Sequence, residues 1–128
     1  MGQQQILFII VGVIIIGIAI TVGISIVSAQ TVATNRDALI NDLNHLASYA
    51  YQYRIRLRSM GGGQGDYTLF SIPPKMRINE DGTYSIATAE ANTLSLTAVS
   101  CENASNSIQV IVGSEGKITA WTFGGDFE

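Results

Sequence analysis

Few residues in this chain have side chains able to do chemistry, and their spacing works against most of it. His45 is the only histidine and Cys101 the only cysteine. One imidazole cannot complete a multi-histidine zinc set or a histidine-based triad. One cysteine excludes an intrachain disulfide and any cysteine cluster for a metal. Set among Leu, Val and Ser, Cys101 is expected to be a small buried apolar residue, with an intermolecular disulfide as the alternative. His45 is expected at a partly exposed surface position beside an apolar stripe. Glu80-Asp81-Gly82 pairs two carboxylates, but the ligand spacing of a calcium loop is absent, so the triplet reads as a turn. Asp126 and Glu128 make the C-terminus slightly acidic without a partner pattern. No phosphate loop, nucleophile elbow or paired-carboxylate site can be placed. The expectation is a protein that is not an enzyme and takes no cofactor. Asn103-Ala104-Ser105 is an acceptor triplet for N-glycosylation, in a segment expected to face outward.

Tyr49, Tyr51, Tyr53, Phe8, Phe70, Trp121 and Phe123 raise the idea of electron transfer along stacked rings. Aromatic content of 8% is ordinary, and of these residues only Phe8 lies in the long apolar run, so core packing is the simpler reading. Seven Lys and Arg against ten Asp and Glu give a formal net charge of −3. No basic field is present to neutralise phosphates, so nucleic acid is not expected as a partner.

With so little site chemistry, the informative features are the elements themselves. From Ile6 to Val27 the sequence reads ILFIIVGVIIIGIAITVGISIV, with Thr21 and Ser25 as its polar side chains. No ionisable side chain occurs before Arg36. As a helix this run is roughly 33 Å long, about the thickness of a bilayer's hydrocarbon core. A helix apolar on every face belongs in lipid or inside an assembly, because a helix on the surface of a soluble domain keeps one face for water. A cleavable secretory signal is disfavoured: Met-Gly-Gln-Gln-Gln is uncharged and the apolar run is too long. Myristoylation of Met1-Gly2 is disfavoured because Ile6 stands where Ser or Thr is wanted.

From Val32 the pattern becomes one-sided. Val32, Leu39, Leu43, Leu46, Ala50, Tyr53 and Leu57 recur at helical steps of three, four and seven, forming one stripe. Nothing between Val27 and Val32 breaks a helix, so one continuous helix from about Gln3 to about Ser59 is expected, ended by Gly61-Gly62-Gly63. Arg54, Arg56 and Arg58 fall in its last turns, where cations meet the negative end of the macrodipole. Beyond Gly65 the texture is β: 67–72 closed by Pro73-Pro74, then 83–88, 93–100, 107–112 and 117–123, with a hairpin signal at Gly113-Ser114-Glu115-Gly116. Four or five short antiparallel strands follow. So small a sheet cannot bury enough surface alone, and the striped half of the helix is its missing layer. The predicted fold is α+β, a lollipop. Residues 1–30 form an apolar transmembrane or filament-core helix. Residues 31–128 form a head: amphipathic helix 31–60, Gly-rich loop 61–66 and antiparallel sheet 67–128.

A short leader ending in Gly2, the run Ile6–Val27, the stripe from Val32 to Leu57 and a β-rich region after Tyr67 together resemble a type IV pilin or pilin-like protein. The resemblance covers the whole chain in architecture and is strongest in the first half. It implies leader cleavage between Gly2 and Gln3, insertion in the cytoplasmic membrane, and polymerisation by a pilus assembly machinery into an extracellular helical filament of identical subunits. In such a filament Ile6, Phe8, Ile10, Val13, Ile15, Ile18, Val22 and Ile26 would pass from the membrane to the filament core. Several pilin features are replaced here. The leader has no Lys or Arg, the usual glutamate at the fifth mature position is Leu7 (or Gln5 if Met1 is kept), and no proline kinks the apolar helix. The resemblance is therefore to a divergent subunit, with processing at Gly2 left open. Gly12, Gly17 and Gly23, spaced by five and six, allow close backbone approach or local unwinding.

The expected function is that of a structural filament subunit. The alternatives are a monomeric, single-pass membrane-anchored binding module and a minor pseudopilin of a secretion system. Every basic residue follows the apolar run, which by the positive-inside tendency would place the head in the cytoplasm. Arg36 is offset by Asp37, and the others lie far from the membrane edge, so an outward head is preferred.

Overall fold

The computed structural model describes residues 2–127. Met1 and Glu128, and with them the retention of the leader methionine and the last carboxylate of the acidic C-terminus, lie outside the described residues. Helix α1 runs without interruption over Gly2–Ile55, 54 residues. The chain divides into two units, Met1–Ala33 and Thr34–Glu128.

The first unit is helical throughout its described residues. No proline interrupts it, and its β-branched residues are tolerated because nothing crowds them. The hydroxyl of Thr21 donates to the carbonyls of Gly17 (3.0 Å) and Ile18 (2.9 Å), and that of Thr31 to Val27 (2.9 Å). Both threonine hydroxyls are thus satisfied by their own helix without water, as an apolar surround requires.

The second unit is α+β. Residues 34–55 of α1 pack on a four-stranded antiparallel sheet of β1 (Gly82–Ala89), β2 (Leu94–Ser100), β3 (Ser107–Val112) and β4 (Ile118–Gly124), in the order β1-β2-β3-β4. Consecutive strands pair through short turns, so the sheet is a plain meander. Leu96 faces both Ile86 of β1 and Val110 of β3, and Val110 faces Trp121 of β4. The core joins Leu39, Leu43, Leu46, Ala47 and Ala50 of the helix to Tyr84, Leu94, Leu96, Ala98, Ile108, Val110 and Val112 of the sheet, all buried. Ala47 completes a helical face that the stripe Leu39–Leu43–Leu46–Ala50 already outlines. At Gly82 the helix and β1 come so close that a Cβ would lie 3.1 Å from Leu39 Cδ2 and against the Val99 carbonyl.

Three expectations are corrected here. Residues 67–72 form no strand: the segment is an irregular strap whose Tyr67, Phe70 and Ile72 are buried while Leu69 points outward. Its apolar residues serve as a cover for one end of the core, and Phe70 packs against Tyr53 and Tyr49 at ring separations of 5.4 and 6.0 Å. Pro74 then opens a short helix, α2 (Pro74–Arg77), at the position where its missing N–H costs nothing. Helix α1 stops at Ile55 rather than near Ser59, and Leu57, assigned to the core stripe, is extended and 54% exposed. The reason lies in the glycine-rich loop, which curls back on the helix end. The N–H groups of Gly63 and Gln64 reach the carbonyls of Tyr53 (2.8 Å) and Arg56 (2.9 Å), satisfying acceptors that the helix leaves open. A Cβ on Gly62 would collide with the Arg56 backbone, and one on Gly63 with the Asp66 carbonyl, so this return path needs both glycines. Third, Cys101 is exposed, not buried. It follows β2 in a polar turn, and its thiol donates to the Glu80 carbonyl at 3.0 Å.

Candidate functional site

The first unit holds the clearest candidate. All sixteen large apolar side chains from Ile6 to Val27 are exposed, by 44 to 73%. Ile6, Phe8, Ile10, Val13, Ile15, Ile18, Val22 and Ile26 lie on different sides of the helix, so no single face is protected. At roughly 1.5–3 kcal/mol for fully burying one such side chain, covering half of each of the sixteen is worth about 12–24 kcal/mol. This helix is long and apolar enough to cross a membrane.

Gly12, Gly17 and Gly23 have nothing within 4 Å of the place a Cβ would occupy. No contact inside the chain requires glycine there. At 100° per residue Gly12, Ala19 and Gly23 fall within roughly 40° of one another on the helix, while Gly17 lies on a different side. Gly23 forms the floor of a shallow apolar groove bordered by Ile20, Ile24, Val27 and Ser28.

The second unit carries polar constructions at its two ends, none of them resembling a catalytic centre. At the end of α1, Arg54 clips three segments together. Its Nη1 donates to the Ser114 carbonyl (2.8 Å), its Nη2 to Asn92 Oδ1 (3.2 Å) and its Nε to the Ala91 carbonyl (3.5 Å), with the guanidinium 5.4 Å from the centre of the Tyr67 ring. The Tyr67 hydroxyl in turn donates to the Gly113 carbonyl at 2.9 Å, and burial raises its pKa above the ordinary tyrosine value.

At the opposite end, Asn35 donates to the Asp81 carbonyl (3.1 Å) and accepts from the Ser100 hydroxyl (2.6 Å). Asp42 Oδ2 accepts from Asn79 Nδ2 (2.9 Å) and from the Tyr84 hydroxyl. Asn79 Oδ1 accepts the N–H groups of Asp81 (2.9 Å) and Gly82 (3.1 Å), so Glu80-Asp81-Gly82 is a turn, as its composition suggests. Burial, then the neighbouring Asp42 carboxyl, raises the Asp81 pKa. Burial also pushes the Tyr84 hydroxyl far above its ordinary value, assisted by Asp42. Beside this end Arg36 lies 4.7 Å from the centre of the Phe123 ring, which stacks on Trp121 at 6.2 Å. The buried Nε of Arg36 has no hydrogen-bond acceptor among the described residues.

His45 is exposed. Asn103 is exposed in the β2–β3 turn, where its Oδ1 accepts from the Ser105 N–H (3.0 Å) and hydroxyl (2.8 Å). Among the described residues no group of three His, Cys, Asp or Glu side chains is placed to hold a metal ion. Arg54, Asp42 and Asn35 were not legible as structural ties in the sequence. Their partners lie 37 to 65 residues away, and no local pattern marks such pairs. Comparison with protein-family models, with curated proteins and with solved structures gives no match to this chain.

Proposed function

We propose that this protein is the structural subunit of an extracellular type IV pilus-like filament, held first in the cytoplasmic membrane and then polymerised through its apolar helix. The observation that carries the reading is the division of labour along α1. Its residues from Leu39 onward bury an apolar stripe against their own sheet, whereas Ile6 to Val27 leave every face uncovered. A lipid bilayer covers such a surface, and so does an array of identical helices. Heterologous contacts that do not close into a ring generate a filament by symmetry. The glycines support assembly, since they relieve no crowding within the chain and permit close approach between chains. The reading assigns the protein no catalysis and no cofactor; its partners are other copies of itself, the membrane and an assembly machinery.

The test is electron microscopy of material sheared from cell surfaces, with mass spectrometry of the subunit and of its N-terminal peptide. Thin filaments built of this chain support the proposal, and the terminal peptide reports whether cleavage follows Gly2. A chain that stays in the membrane fraction with no fibre containing it overturns the proposal in favour of the anchored binding module.

A further inference from the structure

The turn between β2 and β3 carries a triplet that the filament reading leaves unused. Asn103-Ala104-Ser105 is the one place in the sequence where an asparagine is followed two positions on by serine or threonine. All three residues are exposed. The turn is pinned at its base by the buried Asn106, whose carbonyl accepts the Ser100 N–H (2.9 Å) and whose Oδ1 accepts the Asp126 N–H (2.8 Å). A Cβ on Gly125 would lie 2.5 Å from the Ser105 carbonyl, so the segment after β4 runs directly against the turn. The Asn103 side chain makes its hydrogen bonds within the triplet: Oδ1 accepts both the N–H (3.0 Å) and the hydroxyl (2.8 Å) of Ser105. Its Nδ2 donates no hydrogen bond among the described residues. Asn79 gives the contrast. Its Oδ1 is likewise held by two N–H groups, but its Nδ2 is spent on Asp42 (2.9 Å), and Asp81 stands where a hydroxyl would be needed.

We propose that Asn103 is an N-glycosylation site, receiving a glycan from a lipid-phosphate-linked donor through a membrane-bound transferase. An amide nitrogen is a poor nucleophile because its lone pair is shared with the carbonyl. Two hydrogen bonds into Oδ1 draw charge toward that oxygen and make the Nδ2 protons more acidic, so that a base of the transferase can take one. Nδ2 then bonds to the anomeric carbon of the sugar. The bond from that carbon to the phosphate oxygen breaks, and the lipid phosphate leaves with the electron pair. The geometry gives each end of the triplet its part: Asn103 supplies the unspent nitrogen, and the Ser105 hydroxyl supplies the second donor to Oδ1. Because the turn stands in solvent, the amide is open to the transferase without unfolding of the core. Transfer of this kind belongs to secreted surface loops. The site therefore rests on the outward head of the proposed function, though not on polymerisation.

The test is the intact mass of the full chain purified from its native cells, with fragmentation of the peptide that contains Asn103. The expected result is a mass above that of the bare polypeptide by whole sugar residues, with the fragments placing them on Asn103. Asn103→Gln and Ser105→Ala should each remove the excess, and Ser105→Thr should keep it, since the hydroxyl remains. A bare polypeptide mass in the unmutated chain, or an excess that survives Asn103→Gln, overturns the site. Filaments built of the bare chain overturn the site and leave the filament reading standing. A glycosylated chain confined to the membrane, with no fibre containing it, upholds the site and overturns the filament. A bare chain whose head resists protease in intact cells overturns the site and the outward head together.

Discussion

Tyr84, in the first strand, donates its hydroxyl to Oδ2 of Asp42, which lies forty-two positions earlier in the helix. The same carboxylate oxygen accepts Asn79 Nδ2, so one side chain of α1 fixes both β1 and the turn that precedes it. Burial comes first among the causes that hold the hydroxyl neutral beyond its ordinary value of 10.0. A raised folded-state pKa means that the stabilisation is complete below pH 10 and is lost as pH climbs through the folded value. The expected outcome is a head that weakens in alkali. Tyr84→Phe should cost about 1–3 kcal/mol near neutral pH, by stripping a donor from Asp42, and should flatten the alkaline decline. Denaturation of the chain in mild detergent, followed by the fluorescence of the single tryptophan, Trp121, measures both. Equal alkaline slopes for the two proteins contradict the assignment.

Arg54→Ala should destabilise the same unit by about 1–3 kcal/mol, since hydrogen bonds from a charged donor are worth more than neutral ones and the site is partly open to solvent. Arg54→Lys should recover little, because an ammonium cannot reproduce a planar fork facing three acceptors. The shift in denaturation midpoint of each variant decides, and full rescue by lysine would show that charge alone matters at this position.

The Thr68 hydroxyl and N–H both donate to Asp66 Oδ1, and these bonds lower the Asp66 pKa below 3.8. A lowered folded pKa contributes stability above the unfolded value and loses it as pH falls through the folded one. Carboxyl NMR titration should therefore place the Asp66 midpoint below that of an ordinary aspartate. In Thr68→Ala it should rise, since the larger of the two contributions is gone and the backbone N–H alone remains.

Ile15 lies midway along the apolar run and is 60% exposed within the chain. Ile15→Asp should abolish filaments, because a carboxylate at mid-helix costs about 3 kcal/mol even for membrane insertion and recurs in every subunit. Negative-stain microscopy of surface material reads the outcome. Normal fibres would remove this residue from the filament core.

Gly23→Leu separates insertion from assembly. Nothing lies within 4 Å of the added Cβ, so the single helix accepts it and gains helix propensity of roughly 0.8 kcal/mol. Membrane fractionation should be unchanged, whereas the yield of filaments should fall if a neighbouring helix lies against this glycine. Undiminished filaments would leave Gly23 an ordinary membrane-helix glycine.

The long helix was legible in the sequence because its causes are local. An unbroken run from Ile6 to Val27 without charge or proline needs no tertiary partner to declare itself, and the recurrence of Leu39, Leu43, Leu46 and Ala50 marks a helical face by spacing alone. The strands 83–88, 93–100, 107–112 and 117–123 were equally plain, each bounded by its own turn residues. The remaining features depend on partners far along the chain. Whether Tyr67, Phe70 and Ile72 become a strand or a strap turns on an available edge, and burial under the helix end satisfied their apolar side chains without one. Whether Leu57 continues the stripe turns on where the helix stops, which is set by the Gly63 and Gln64 N–H groups folding back onto the Tyr53 and Arg56 carbonyls. Cys101 had the composition of a buried residue, yet the turn it occupies leaves β2 at the rim of the core. The ties made by Asn35, Asp42 and Arg54 bridge long separations with side chains that look locally like ordinary surface polar groups. Periodicity reports which face of an element is apolar; it carries no record of which distant group meets a particular polar side chain once the chain has folded.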